Sequence, residues 1–184
     1  MNFKKIILFS LAGIILIVVA YAAYLMLTTR SHSPVERMVF MDSNFQLSVD
    51  YCRPFKKGRI IFGEESEGAL LPFGKYWRTG ANEATEIEFN RDIQVNGNTL
   101  RSGRYRLYTI PQKNSWTIAF NSELEKWGYG EPNYELDVLR MEASVDELMQ
   151  ALEQFTISGE KTGENRMDIV LAWDHTLVKI PISY

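Results

Sequence analysis

Beyond residue 34 the chain alternates apolar and polar residues in short runs that are separated by turn residues. In the clearest run, every second position from Phe45 to Tyr51 is apolar, which is the period of a half-buried strand. Asn96-Gly97 joins two such runs and is the preferred dipeptide of a tight hairpin, and Asp174-His175 indicates a further turn. We therefore predict a mainly β domain, an antiparallel β-sandwich with a jelly roll as one variant.

One stretch has helical spacing. Val145, Leu148, Met149 and Leu152 recur as one apolar stripe, and Ser144 stands three residues before a glutamate, as in a capping box. The pattern predicts one short helix in the sandwich.

The N-terminal segment has a different character. Ile6–Leu27 contains neither charge nor proline, and its 22 residues would span roughly 33 Å as a helix, enough to cross a bilayer. Lys4 and Lys5 precede it, which favours a cytoplasmic N-terminus. We predict that residues 1–27 anchor the protein in the lipid bilayer, that residues 28–34 form a linker, and that residues 35–184 form an extracytoplasmic domain.

A cleaved signal peptide is the competing interpretation, because Ala20-Tyr21-Ala22 supplies a small-residue cleavage site. The apolar run is longer than the ~7–15 residues of a signal-peptide core, which favours an uncleaved single span in the cytoplasmic (inner) membrane.

Charge and cysteine content exclude some functions. Without Lys4, Lys5 and Arg30, the domain has 17 basic and 23 acidic residues, a formal charge of −6. This balance, without a basic stripe, argues against nucleic-acid binding. Cys52 is the only cysteine, so no disulfide forms within the chain. No set of residues with metal-ligand spacing and no cofactor motif is present, so neither a metal nor a cofactor is expected.

Two stretches break the alternation and are rich in aromatic and polar side chains. Residues 70–85 combine Gly and Pro with rings, a guanidinium, an amide and a carboxylate, and a second aromatic group begins at residue 127. Such loops suit a planar or sugar-like ligand through stacking and bidentate hydrogen bonds. The alternative is that the rings cover the core and the arginine braces a loop. If both loops open on one side, the candidate ligand-binding residues are Trp77, Arg78, Asn82, Glu83, Trp127 and Tyr129.

The stretch Leu71–Thr85 (LPFGKYWRTGANEAT) closely resembles the signature of a bacterial family called domain of unknown function 2911. The resemblance continues through Tyr51–Pro54, Gly58-Arg59, Gly103–Pro111, Trp116-Thr117, Trp127-Gly128, Phe155–Ile157 and Leu171–Trp173, and covers the chain after Ser33. Members resemble exported or envelope proteins, mostly of Bacteroidota, which implies a periplasmic domain here. The resemblance implies no activity, and Cys52 stands where members more often have serine.

Three functions remain open. The leading hypothesis is a non-catalytic periplasmic domain that binds a glycan or another small polar ligand. The second is a carboxylate-dependent hydrolase with Glu83 and one partner from Glu64, Glu86 and Asp174, since glycoside hydrolysis needs two such groups. The third is a structural or partner-binding envelope protein. Serine or cysteine catalysis needs a histidine base, and the domain's only histidine, His175, lies in the predicted turn.

Overall fold

The computed structural model describes the backbone of residues 3–184 and their side chains except those at positions 3–6, 8, 26 and 27. Residues 1 and 2 of the predicted anchor, and the side chains of Lys4 and Lys5, therefore lie outside the described part. The chain divides into two compact units, residues 1–32 and residues 33–184.

The first unit is one helix, α1 (Phe3–His32), and within it Phe9–His32 is long and apolar enough to cross a membrane. A signal sequence near the N-terminus can meet the same criteria of length and composition. The helix runs through residues 28–32, so only Ser33 and Pro34 separate it from the first strand. Proline disfavours helical geometry in the residue before it, which explains why the helix ends here.

The second unit is built from eleven strands among the residues described, with two single-turn 3-10 helices at Glu65–Glu67 and Tyr134–Leu136. The strands are β1 (Val35–Asp42), β2 (Phe45–Cys52), β3 (Phe62–Gly63), β4 (Leu71–Pro72), β5 (Thr85–Phe89), β6 (Ile93–Val95), β7 (Asn98–Leu100), β8 (Gly103–Pro111), β9 (Ser115–Asn121), β10 (Asp137–Gly163) and β11 (Arg166–Ser183).

Nine of these strands form one antiparallel sheet in the order β1-β2-β5-β8-β9-β10-β11-β6-β7, and β3 and β4 form a small parallel pair. The mainly β, antiparallel prediction is confirmed. The long strand β10 pairs with β9 up to Ser144 and with β11 from Val145 onward, so the sheet passes from one half to the other along it. Strands β8 to β11 pair in chain order as a meander, an order that does not support the jelly-roll variant.

The two halves of the sheet enclose one core, as in a sandwich. Its centre is a group of aromatic rings: Phe62 lies 4.8 Å from Trp116 of β9 and 6.1 Å from Trp173 of β11, measured between ring centroids. The ring of Trp77 packs against these two tryptophans and Phe155 at 4.9–5.9 Å. Trp116 and Trp173 lie at apolar positions of alternating runs in the sequence, whereas Phe62 and Phe155 lie outside those runs.

The predicted helix over residues 144–152 is wrong, because these residues belong to β10. Ser144 pairs with Ser115 of β9 and Val145 with Val178 of β11, so the sheet supplies the backbone hydrogen bonds. Between Glu147 and Leu152 the pairing register shifts, and β10 carries extra residues that bulge outward. A bulge interrupts strict alternation, and the resulting spacing resembled that of a helix.

The two predicted turns have different outcomes. Asn96 and Gly97 adopt φ of 48° and 77° between β6 and β7, so the hairpin is confirmed. Asp174 also has positive φ, at 54°, yet β11 continues through it opposite the bulge of β10. The dipeptide correctly indicated a change in backbone direction at Asp174, but this change is a kink within β11 and not a turn between two strands.

Candidate functional site

Polar side chains occupy the outer face of the sheet where β2, β5 and β8 pair. Cys52, Glu86 and Arg106 are on this face, and their inward neighbours along the strands belong to the core. Two loops cover the face: loop A (residues 73–84), between β4 and β5, and loop B (residues 122–133), after β9. Both contain the aromatic residues that the sequence marked as candidates.

Trp77 fixes loop A to the core. Its backbone exchanges two hydrogen bonds with Thr109 of β8, and its indole Nε1 donates to the carbonyl of Gly80 at 2.9 Å. The side chain is 3% exposed. Trp77 therefore cannot contact a ligand at the surface in this conformation, and its role is to hold the residues that follow it.

After Trp77 the chain turns tightly. Thr79 and Asn82 have φ of 56° and 57°, and the hydroxyl of Thr85 donates to the carbonyl of Thr79 at 2.8 Å. A Cβ at Gly80 would lie 3.0 Å from the carbonyl oxygen of Cys52, closer than an ordinary van der Waals contact, so glycine favours this close approach. The turn brings loop A back toward β2 and presents Arg78 and Asn82 to loop B.

The two loops are hydrogen-bonded to each other. The amide of Gly128 donates to the carbonyl of Asn82 at 2.9 Å, and the amide of Ala84 donates to that of Lys126 at 3.0 Å. Glu83 and Trp127 form a short antiparallel bridge. Four candidates, Arg78, Asn82, Glu83 and Trp127, are thus brought together.

Trp127 and Tyr129 are the exposed aromatic residues of loop B, with 57% and 81% of their surfaces accessible. They are two residues apart, so their Cα atoms are at most about 7 Å from each other. We call this pair the aromatic platform. Large exposed rings at one place on a soluble domain are typical of a binding surface.

Arg78 lies against the platform. Its guanidinium carbon is 5.9 Å from the ring centroid of Tyr129, and Nη1 donates to the carbonyl of Asn82 at 3.0 Å. The aliphatic stem packs on Gly128, where a Cβ would lie 2.6 Å from Cδ of Arg78. Burial lowers the pKa of Arg78, and the charge of Arg106 acts in the same direction. The side chain is half-buried and fixed in place.

A buried arginine holds loop B on the sheet. Arg106 is 1% exposed; its Nη2 donates to the carbonyl of Gly130 at 2.7 Å and to the hydroxyl of Tyr76, and Nη1 lies 3.3 Å from a carboxylate oxygen of Glu123. The hydroxyl of Tyr76 donates in turn to the carbonyl of Gly128. This network ties Gly128 and Gly130, the residues on either side of Tyr129, to β8.

The residues of this network were not among those predicted from the sequence. The sequence feature that indicates the network is Arg106, a charged residue in the middle of the apolar run of β8. Nε of Arg106 and Nδ2 of Asn82 are buried without a hydrogen-bond partner among the residues described. Two such donors at one interface are unusual, because leaving a buried donor unpaired is costly.

Beside the loops, the Cys52 thiol donates to a carboxylate oxygen of Glu83 at 3.3 Å. Burial and this carboxylate raise the pKa of Cys52 to about 11. The thiolate is the nucleophilic form, so the thiol is unreactive at neutral pH.

Three of the four carboxylates considered for hydrolysis are engaged in contacts within the domain. Glu86 accepts from Arg104 Nε at 2.6 Å and from the amide of Glu125, and Asp174 pairs with Lys56 at 2.5 Å. The carboxylate of Glu83 accepts from the thiol of Cys52, whereas Glu64 is exposed at the start of the first 3-10 helix. Within the described part of the chain, no group of three or more His, Cys, Asp or Glu residues is placed to hold a metal ion.

Gly128 allows a sharp test of the Arg78 contact. Gly128→Ala is expected to displace Arg78 and weaken the pairing of the loops, because the added Cβ would also lie 3.0 Å from the amide nitrogen of Ala84. We expect a loss of about 1–3 kcal/mol in the free energy of unfolding, the usual cost of overpacking. Gly130→Ala is the matched control, since nothing lies within 4 Å of a Cβ there. Equal stabilities of the two variants would contradict the packing described.

The raised pKa of Cys52 predicts a loss of stability in alkali. Below pH 9 the thiol is protonated in both states, whereas between pH 9 and about 11 the unfolded chain has lost a proton that the folded domain keeps. The free energy of unfolding therefore falls as pH rises through this range. Cys52→Ser keeps a donor for Glu83 and does not titrate there, so its curve from denaturant titrations should fall less steeply. Parallel curves would show that the folded thiol ionises normally.

Comparisons with known proteins give one match. The model of a protein family of unknown function (DUF2911) matches residues 33–182, which is most of the 184-residue chain and nearly the whole β unit. Searches among curated proteins and among solved structures found no match. The loops, the aromatic platform and the buried arginine all fall within the matched range, and the chain belongs to the DUF2911 family.

Proposed function

We propose that this protein is a membrane-anchored binding protein whose extracytoplasmic domain holds a glycan or another small polar ligand on Trp127 and Tyr129, without catalysing a reaction on it. The observation that carries the proposal is the exposure of this platform, 57% and 81%, on a loop that buried contacts hold rigid. A sugar ring has apolar C–H faces that stack on aromatic side chains, and polar groups beside them fix its orientation.

Rigidity of loop B supports a binding role. A ligand that meets a fixed surface does not have to order it, so less of the interaction free energy is lost on binding. The hydrogen bonds of Asn82, Tyr76 and Arg106 to loop B keep Trp127 and Tyr129 in position before any ligand arrives. For a purely structural protein, burial of the rings would be more favourable than this exposure.

The engaged carboxylates favour binding over hydrolysis. A general acid must be kept protonated close to a second, ionised carboxylate. Glu86 is salt-bridged to Arg104, and Asp174 to Lys56, so both carboxylates already have cationic partners within the domain. The hydrolase hypothesis gains no support from these contacts.

A carbohydrate array tests the binding proposal. The full-length protein in detergent is applied to arrayed neutral and acidic glycans, beside a Trp127→Ala/Tyr129→Ala variant. We expect the wild type to bind a subset of glycans and the variant to lose that binding at unchanged thermal stability. Absence of binding to every glycan, or equal binding by the variant, would overturn the proposal.

The anchor is tested separately. We propose that α1 remains attached and holds the domain on the extracytoplasmic side, supported by its apolar length and by Lys4 and Lys5 near its N-terminal end. Mass spectrometry of the membrane fraction should then detect the intact N-terminus. A mature soluble form that starts near Ala23 would contradict the anchor without affecting the binding proposal.

A further inference from the structure

We propose that the ligand of the aromatic platform carries an anionic group, a carboxylate or a phosphate, which binds to the guanidinium of Arg78. The inference rests on the proposed binding function and specifies the class of its ligand: an acidic saccharide, with one ring face on Trp127 or Tyr129 and its anion on Arg78.

The first observation is that Arg78 has no counterion. Among the described residues no carboxylate lies within 4.0 Å of its guanidinium, although ten ion pairs of Lys or Arg in the domain meet that limit. The nearest carboxylate in loop A, Glu83, accepts from Cys52. A neighbouring cation, Arg106, has the same sign and lowers the pKa of Arg78. A half-buried cation in this position is stabilised by an added anion.

The second observation concerns the free donors of Arg78. A guanidinium has five N–H groups, and the hydrogen bond to Asn82 uses one of them. Nε and Nη2 have no hydrogen bond among the described residues and are not buried, so their N–H groups reach solvent. Since Gly128 and Asn82 fix the stem and one edge of the group, the open edge is already oriented for a carboxylate or phosphate.

The third observation is the position of this edge beside Tyr129. The guanidinium carbon lies 5.9 Å from the centroid of a ring that is 81% exposed. A ligand of one or two sugar units can therefore stack on the ring and reach Arg78 at the same time. The formal charge of −6 on the domain repels long polyanions at a distance, which favours a short acidic saccharide over a nucleic acid.

Calorimetry of the full-length protein in detergent tests the inference with three probes. Trigalacturonic acid carries carboxylates, its methyl ester presents the same sugars without charge, and galactose 1-phosphate carries a phosphate. We expect the acid or the phosphate to bind at least tenfold more tightly than the ester. Arg78→Gln should reduce binding of the anionic probe roughly 10–100-fold, the loss expected for hydrogen bonds to a charged group, and leave the ester unchanged.

Arg101→Gln is the matched control, because it removes the same charge from an exposed position in the turn before β8. Equal affinities for the acid and the ester, or equal losses in the Arg78 and Arg101 variants, would overturn the inference. Binding of neutral glycans alone, dependent on Trp127, would overturn it and leave the proposed function intact. Failure of all three probes, together with an array without any binding, would overturn both. Whichever anionic probe binds identifies the anion.

Discussion

Replacing Trp77 with alanine is expected to lower the free energy of unfolding by about 3–5 kcal/mol, the usual cost of deleting a large aromatic side chain from a core. Its ring contacts Trp116, Trp173 and Phe155, and its indole N–H caps the turn at Gly80. The loss is a large fraction of the roughly 5–15 kcal/mol that stabilises a typical domain. Denaturant unfolding of the full-length protein in detergent measures it, with Trp77→Phe as a milder variant if the alanine variant does not fold.

Replacing Trp127 with alanine should affect the stability of the domain much less. Trp127→Ala removes a ring that is 57% exposed, so we expect its free energy of unfolding to stay within about 0.5 kcal/mol of the wild type. Trp77 and Trp127 lie on two loops that are hydrogen-bonded to each other, yet they have different roles. Trp77 contributes to stability, and Trp127 contributes to binding. A large destabilisation by Trp127→Ala would mean that the platform belongs to the core.

Replacing Glu123 with glutamine is expected to lower the free energy of unfolding by about 2 kcal/mol. The change removes the negative charge that faces Arg106, which is 1% exposed, and a buried charge that has lost its partner is strongly destabilising. Glu123 itself is 24% exposed, so solvent moderates the loss below that of a fully buried pair. The measurement is again denaturant unfolding of the full-length protein.

Glu125→Gln is the control for this charge change. Glu125 lies two residues further on and is exposed, and its backbone amide, not its carboxylate, makes the contact with Glu86. We expect its stability to stay within about 0.5 kcal/mol of the wild type. Equal effects of the two variants would contradict a specific role for the pair of Arg106 and Glu123 in holding loop B.

The sequence predicted those parts of the fold that depend on local pattern. Alternation from Phe45 to Tyr51 gave the inward face of β2, and Asn96-Gly97 gave a hairpin, because each is specified by residues close in sequence. Residues 144–152 were misjudged because β10 is defined by its partners β9 and β11, which lie far away along the chain, and its bulge exists only against them.

The candidate site was predicted in part for the same reason. The composition of loops A and B marked Arg78, Trp127 and Tyr129, but which tryptophan is buried depends on tertiary contacts. Trp77 enters the core because its backbone pairs with Thr109, and Trp127 stays outside because loop B turns at Gly128 against Arg78. The network of Tyr76, Arg106 and Glu123 joins three separate stretches of chain, so no local pattern could reveal it.

Tryptophan fluorescence shows whether a ligand binds on the aromatic platform. Trp77, Trp116 and Trp173 are at most 3% exposed, so Trp127 is the tryptophan of this chain that a neutral quencher such as acrylamide reaches readily. We predict that a glycan identified on the array protects the full-length protein from quenching, and that Trp127→Phe removes the quenchable component. Undiminished quenching of Trp127 by acrylamide at saturating glycan would contradict binding on the platform.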